Sequence, residues 1–375
     1  MSRNAACITI KVKHKSMKMK EVRFRTCARF KPHVLMVSAQ IGYTFMYIIT
    51  EASFNHGMNP FVYVTYRHIV AGAALLPFAY FIEREARPKL TLTLLLEIFV
   101  LSLLGVSLTL NMYFTSLKYT SPTLLACMVN TIAPLTFILA VILRMEVVEI
   151  HSTQGIAKVL GTGMSLVGVM TMTLYKGSTL KNVGHALIHI RGSTTVIQEN
   201  WLRGSLLAVA SCITWSMWYI MQAYTLNRYP AQLSLTTWMN FVGAAQSAVF
   251  TIIVQHEQRA WTIGFNVDLW STLYGGIVIS GIVTFIQLWC TEAKGPVFVT
   301  IFNPLSSILV AILQYFVLGE KLHVGSILGG VIVIMGLYML LWGKERDGTQ
   351  MKLKDPEEPK IQIFPSKENN YKEES

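Results

Sequence analysis

Ten stretches of this chain are each about twenty residues long and almost wholly apolar. They lie at roughly 33–53, 61–81, 94–114, 123–143, 155–175, 204–224, 233–254 and 269–290, with a closely spaced pair inside 295–342. A helix needs ~20 apolar residues to cross a ~30 Å hydrocarbon core. In lipid every backbone polar group must find its partner within a helix or a closed barrel. The alternating ten-residue strands of a barrel are absent. With 53% hydrophobic and 14% charged residues in 375, the chain is too apolar for a soluble fold of this size. The expected fold is an all-α polytopic membrane protein with ten transmembrane helices.

The last pair repeats an earlier one. Residues 295–342 read as two apolar runs around a polar hairpin, Gly319-Glu320-Lys321, and residues 121–175 have the same plan. In both, a Pro opens the first helix, a Pro and an Asn interrupt it, and a Glu lies in the hairpin. Pro122 to Glu146 and Pro296 to Glu320 are both 24 residues apart. Matching Pro-broken segments in two halves are the strongest sequence pointer to a transporter's central site. The chain therefore divides into a basic tail (1–32), a first five-helix repeat (33–175), a linker (176–202), a second five-helix repeat (203–342) and a polar tail (343–375) expected to be disordered. Five is odd, so the second repeat is expected to insert upside down. Swapping the conformations of two inverted halves turns an outward-open state into an inward-open one.

Orientation rests on the tails. Residues 1–32 hold ten Lys/Arg and one acid, Glu21; residues 343–375 hold seven basic and eight acidic residues. A basic tail next to a first span is an inside signal, which we favour over nucleic-acid or anionic-lipid binding. Both termini are then cytoplasmic and 176–202 is extracytoplasmic. The five cysteines, Cys7, Cys27, Cys127, Cys212 and Cys290, show neither paired nor metal-type spacing, and no disulfides are expected.

Several residues inside the spans could carry function. Asn130 and Pro134 in the fourth span, with Asn303 and Pro304 in the ninth, are the central candidates. A proline removes one backbone donor and frees the carbonyl four residues back. A freed carbonyl beside an Asn amide suits a polar solute; the plainer alternative is a kink with an interhelical Asn bond. Asn111 and Gln287 are candidates in the third and eighth spans. Arg67 costs at least ~2.5 kcal/mol in the bilayer unless it snorkels or is paired. It is either a carboxylate anchor or gating pair, with Glu51 as partner, or a residue reaching the outer interface. Glu146 and Glu320 at the hairpin tips are expected to cap or pair rather than to bind solute. Gln40, Trp215, Trp218, Gln222, Trp238, Asn240, Gln246 and Trp289 also lie within spans, and sequence alone does not sort them between cavity and interface.

Other chemistries lack their motifs. There is no G-x-x-x-x-G-K-[ST], so no ATP-driven pump, and no G-x-S-x-G or H-E-x-x-H. His185 and His189, at i, i+4 in the linker, make a weak metal signal without a third ligand. No metal, cofactor or nucleic-acid partner is expected. A small-molecule solute and the lipid bilayer are, with proton or ion coupling and homo-oligomerisation left open. An intramembrane enzyme would need a convergent acid–base set, and no Asp falls within the ten runs. A receptor or scaffold working through its C-terminal tail would stop working on truncation at Gly343, whereas transport would survive it.

Over 31–345 the chain resembles a known family. KPHVLMVSAQIGYTFMYIITEASFNHGMNPFVYVTYRHIVAGAALLPFAYFIER, SPTLLACMVNTIAPLTFILAVILRMEVVEI and KGPVFVTIFNPLSSILVAILQYFVLGEKLHVGSILGGVIVIMGLYMLLWGK resemble the plant walls-are-thin-related, nodulin-like (UMAMIT-type) transporters. These belong to the drug/metabolite transporter superfamily and carry two EamA domains. The resemblance implies ten transmembrane helices. It also implies bidirectional or export-type movement of amino acids, or of auxin or related organic solutes for some members. The expected site is the plasma membrane, sometimes the vacuole.

Overall fold

The structure is a computed structural model. It describes residues 30–175, 201–313 and 324–354, except 86, 118, 121–124, 126–127, 147 and 150. Glu320, His185, His189 and most of both tails lie outside the described residues, so the expectations for them are not addressed. The helices, in order, are α1 (Phe30–Asn55), α2 (Pro60–Ile82), α3 (Leu92–Leu117), α4 (Ile132–Ile142), α5 (Thr153–Leu174), α6 (Trp201–Arg228), α7 (Gln232–Val254), α8 (Val267–Lys294), α9 (Pro296–Leu313) and α10 (Val324–Lys354). All except α4 are long and apolar enough to cross a bilayer, which makes nine among the described residues. No strand occurs among them. The expected tenth crossing coincides with α4, whose described helix has only 11 residues.

Local chemistry sets the helix ends. Asn59 caps α2, its side chain accepting from Phe61 N at 2.9 Å, and Pro60 occupies the first turn where no donor is needed. Thr91, Ser152 and Asn266 cap α3, α5 and α8 in the same way. Gly295, at φ 85°, turns the chain between α8 and α9, and Pro296 then opens α9 as expected.

Two departures from the sequence expectation concern ends. The apolar run of α10 stops near Trp342, yet the helix continues to Lys354, so 343–354 is helical rather than part of a disordered tail. Side chains just past the apolar run anchor it: Lys344 pairs with Glu146, and Glu345 with Lys294 at 2.6 Å. Asp268, which falls just before the expected eighth span, lies in the first turn of α8. It is buried there, accepts from Ser53 Oγ at 2.6 Å and lies 3.4 Å from His56 Nδ1.

The two halves share internal irregularities. Helices α3 and α8, the third of each half, contain π-helical stretches at Leu103–Leu108 and Tyr274–Val283. A π stretch displaces the regular ladder and leaves a carbonyl to satisfy. In α3 the Thr109 hydroxyl donates to Leu104 O at 2.6 Å; in α8 the Thr284 hydroxyl donates to Ile279 O at 3.1 Å. The same device thus recurs at the same place in both repeats.

Equivalent helices pack antiparallel, as inversion requires. Along α2 and α7, Thr65 meets Thr251 (3.3 Å) near one end, and Glu83 accepts from Leu233 N and Ser234 N (2.9 and 2.7 Å) at the other. Along α5 and α10, Gly161 lies against Gly336, Gly168 against Gly329 and Val333, and Gln154 against Gly343. At these glycines a Cβ would stand under 3.0 Å from the neighbouring backbone, so only glycine permits the approach. The buried core lies between the halves, around Met36, Leu101, Val129, Tyr219, Leu235, Leu288 and Phe298. The outer faces are apolar: Phe78, Phe81, Leu92, Ile253 and Tyr338 are all exposed. That distribution suits a lipid solvent.

Candidate functional site

Helix α9 is broken in two. Its first segment, Pro296–Thr300, ends in a turn at Ile301-Phe302, and the second, Asn303–Leu313, starts afresh. Pro304 has no N–H to give to Thr300 O, which stays without its helical donor. The Ser306 hydroxyl donates to Asn303 O at 2.8 Å and supports the new first turn. In the fourth span, Asn130 and Thr131 form a turn before Ile132–Ile142, and Pro134 leaves Asn130 O free in the same manner. The interruptions expected from the Pro/Asn pairs are present in both halves. They also touch: Ser307 Oγ donates to Asn130 Oδ1 at 3.1 Å, and Asn130 Nδ2 lies 4.0 Å from Met172 Sδ.

From α9 a line of polar side chains runs between the halves. The Tyr219 hydroxyl on α6 accepts from Gln287 Nε2 on α8 at 3.4 Å and faces Asn303. Gln287 also faces Tyr43 on α1, which lies within the field of Arg67 on α2. Arg67 is half-buried; its Nε donates to Ser280 Oγ at 2.7 Å, its guanidinium lies 5.9 Å from the Tyr63 ring centre, and Met46 Sδ is 3.6 Å away. Among the described residues, Gln287 Oε1 is buried without a hydrogen-bond partner, as are Gln40 Nε2, both amide atoms of Gln222 and both of Asn111. An unmet buried polar atom costs ~1–3 kcal/mol, so each of these amides is a group that a polar solute could satisfy. Tyr43, Tyr47 and Tyr113 are half-buried, with Tyr47 within reach of both Tyr43 and Tyr113.

The structure sorts the sequence candidates. Gln287, Asn303 and Arg67 belong to one polar line, and Asn130 joins it through α9. Asn111 is buried on α3, and its amide bonds to none of them. Pro134 and Pro304 are buried at the breaks. Glu51 is half-buried on α1. Glu146 lies away from the line, 3.8 Å from the buried Lys158 of α5 and paired with Lys344 of α10. It ties the turn after α4 to α5 and α10. Glu97 pairs with Arg228. Among the unsorted groups, Gln40, Trp218, Gln222 and Asn240 are buried. Gln246 bonds to Phe99 O at 3.0 Å, and Lys31 Nζ lies 4.6 Å over the Trp289 ring.

The tyrosines were not singled out from sequence. The signal was legible in VSAQIGYTFMY, where Gln40, Tyr43 and Tyr47 recur at i, i+3 and i+7 and so share one helical face. Trp215, Tyr219 and Gln222, at i, i+4 and i+7, likewise share one face of α6. Among the described residues no cluster of three or more His, Cys, Asp or Glu has metal-site geometry, and Cys212 and Cys290 are free and buried.

The EamA-like transporter family matches the chain twice, over residues 31–174 and 202–342. The chain is 40% identical to the WAT1-related protein At4g08300 of Arabidopsis thaliana over 324 residues, covering 85% of this chain and 87% of that one. It is 38% identical to the WAT1-related protein At2g39510 of the same plant, covering 91% and 93%. It is 36% identical to the protein WALLS ARE THIN 1, also from Arabidopsis thaliana, covering 84% and 83%. A solved crystal structure aligns with a TM-score of 0.60 at 16% identity, covering 83% of this chain and 98% of that one; it supports the fold alone. With two matched repeats, apolar helices of membrane-crossing length and relatives covered almost end to end, the chain belongs to the EamA-like transporter family, among the WAT1-related membrane proteins.

Proposed function

We propose that the chain is a secondary transporter or facilitator of small organic solutes, amino acids first among them, rather than an enzyme or scaffold. It works by alternating access, the two five-helix halves at 33–175 and 203–342 rocking about the α5–α10 and α2–α7 contacts. The observation that carries this reading is the polar line Arg67–Tyr43–Gln287–Tyr219–Asn303. It draws on both halves and ends at the broken α9. Amides, phenols and freed carbonyls bind a zwitterion's polar groups without a fixed counter-charge, and Arg67 offers a carboxylate partner at one end. A solute so bound meets residues of both halves, so relative motion of the halves changes its access. The plasma membrane is the proposed site, with the vacuolar membrane as the alternative.

A second reading has its own support. Tyr113, Trp215 and Trp218 pack around one core, and Tyr43 and Tyr47 around a neighbouring one that Tyr113 meets through Tyr47; these aromatic groups suit an indole-type solute such as auxin. Oocytes or yeast expressing the chain, preloaded with labelled amino acids or indole-3-acetate, would separate the two. Efflux above control of the first, undiminished by the second, supports the amino-acid reading; flux of neither refutes transport of both. Asn303→Leu is expected to abolish the flux with surface expression intact, and unchanged flux would remove Asn303 from the site.

A further inference from the structure

Next to Arg67, helix α2 carries a buried group that the polar line does not use. His68 is 5% exposed and, at 1.5 Å per residue, lies ~12 Å along the helix from Pro60. Its Nδ1 is 2.8 Å from Asn240 Oδ1 on α7. Asn240 Nδ2 donates to the carbonyls of Thr236 (2.8 Å) and Ser280 (3.1 Å). Carbonyls only accept, so the amide turns its nitrogen to them and its oxygen to the imidazole. An amide oxygen also only accepts, so His68 Nδ1 bears the hydrogen and, in the neutral ring, Nε2 is a bare lone pair. That lone pair is buried and has no hydrogen-bond partner among the described residues. The network holds α2, α7 and α8 together through Nδ1 alone; the exposed basicity of Nε2 has no structural use.

The groups around His68 define what would charge it. On its own helix Arg67 acts on it electrostatically. Helices α7 and α8 face it with Asn240 and Ser280, neither titratable, and Ser280 also holds Arg67 through its hydroxyl. On α1, Tyr43 and Tyr47 lie beyond Arg67 and within its field. Among the described residues, the full charge acting on the ring is thus the guanidinium that the polar line offers to a carboxylate.

Resting on the transport reading, we propose that His68 Nε2 is the proton-binding site of this transporter, coupled through Arg67 to a carboxylate on the solute. With Arg67 uncompensated, a second positive charge beside it is unfavourable and the ring stays neutral. A carboxylate at Arg67 cancels that field, and Nε2 takes a proton from a hydronium ion on the aqueous side then open: the N–H bond forms as the hydronium O–H bond breaks, and water is released. Linkage makes the effect reciprocal: the proton strengthens carboxylate binding by the same factor. Solute and proton then cross together, and the proton leaves to water when the carboxylate does.

The test uses the full chain in liposomes, labelled with ¹⁵N-histidine and studied by solid-state NMR, with His68→Gln to assign the signals. Without solute at pH 7 the ring is expected to be neutral with Nδ1 protonated; the Nε2-protonated tautomer would overturn the proposal. Saturating glutamine or indole-3-acetate is expected to raise the ring's titration midpoint by about one pH unit, a tenfold coupling; a midpoint unmoved by a solute that is transported would overturn it. Asn240→Asp keeps the imidazole and sets a carboxylate beside Nδ1, and a doubly protonated ring at pH 7 is expected without any solute; a neutral ring counts against the site. An inside-alkaline gradient is expected to speed uptake by the unaltered chain, and His68→Gln to bring the ratio of rates with and without the gradient to one; a retained ratio overturns the coupling. If neither solute moves at all, the transport reading fails, while the tautomer and the Asn240→Asp titration still decide the proton site.

Discussion

Replacing Gly336 by alanine tests the α5–α10 seam about which the halves are proposed to rock. A Cβ built on Gly336 stands 2.6 Å from Gly161 O and 2.7 Å from Ser165 N, with Ser165 Oγ also at 2.6 Å. The serine hydroxyl can rotate away, but the other two atoms are backbone. Ordinary contact begins near 3.4 Å, so α5 and α10 must part locally by about 0.8 Å. A gap of that size forfeits roughly a quarter to a half of each contact's dispersion energy along the seam, and overpacking of this kind costs ~1–3 kcal/mol. Alanine also favours a helix over glycine by ~1 kcal/mol, which would mask part of the loss. Gly330, on the same helix, supplies the control, because its added Cβ meets nothing within 4 Å. The helix-propensity gain is shared, so the two variants are expected to differ by the packing cost alone, about 1–3 kcal/mol. Purified protein in one detergent, melted while its intrinsic fluorescence is followed, should show Gly330→Ala at or above the unaltered chain and Gly336→Ala clearly below it. Equal melting temperatures for the two variants would refute the close seam.

Further outcomes follow from the ion pairs of Glu146 and Glu345. Glu146→Gln removes the carboxylate between Lys158 and Lys344, whose side chains are 3% and 16% exposed. It is expected to cost up to about 3–5 kcal/mol, and adding Lys158→Met should recover part of that; a double variant no more stable than the single one would contradict the pairing. Truncation after Lys354 is expected to leave flux intact, whereas truncation after Gly343 removes Lys344 and Glu345 and should lower it. This replaces the sequence expectation that transport survives loss of everything past Gly343, and equal flux from both truncations would restore it.

Much of the architecture was legible because a bilayer leaves few options. Apolar runs of fixed length, a 24-residue Pro-to-Glu spacing found twice and an odd number of spans per repeat led to an all-helical, two-repeat protein with broken helices at Asn130/Pro134 and Asn303/Pro304. What the sequence did not disclose depends on contacts between distant segments. The run of α10 past Trp342 is held by Glu146 and Lys294, which pair with Lys344 and Glu345 and lie far away in the chain. The π stretches of α3 and α8 have no periodicity of their own; the paired threonines, Thr109 and Thr284, show only once the backbone is seen. In the site, polar residues in apolar runs were easy to find, but their facing was not. Gln287 and Asn303 meet at Tyr219, a residue passed over because an aromatic in a membrane span usually packs or sits at the interface. Asn111 looked equivalent to Gln287, yet its side chain bonds to no member of the polar line.

The most direct check is the side of the membrane on which the linker lies. With the five native cysteines replaced, single cysteines at Ser2, Ser178 and Ser375 can be challenged in intact cells with a membrane-impermeant maleimide. Labelling of Ser178→Cys from outside, with Ser2→Cys and Ser375→Cys reacting only after permeabilisation, is the result expected of two oppositely inserted halves. A linker that reacts from the same side as the two tails would contradict them.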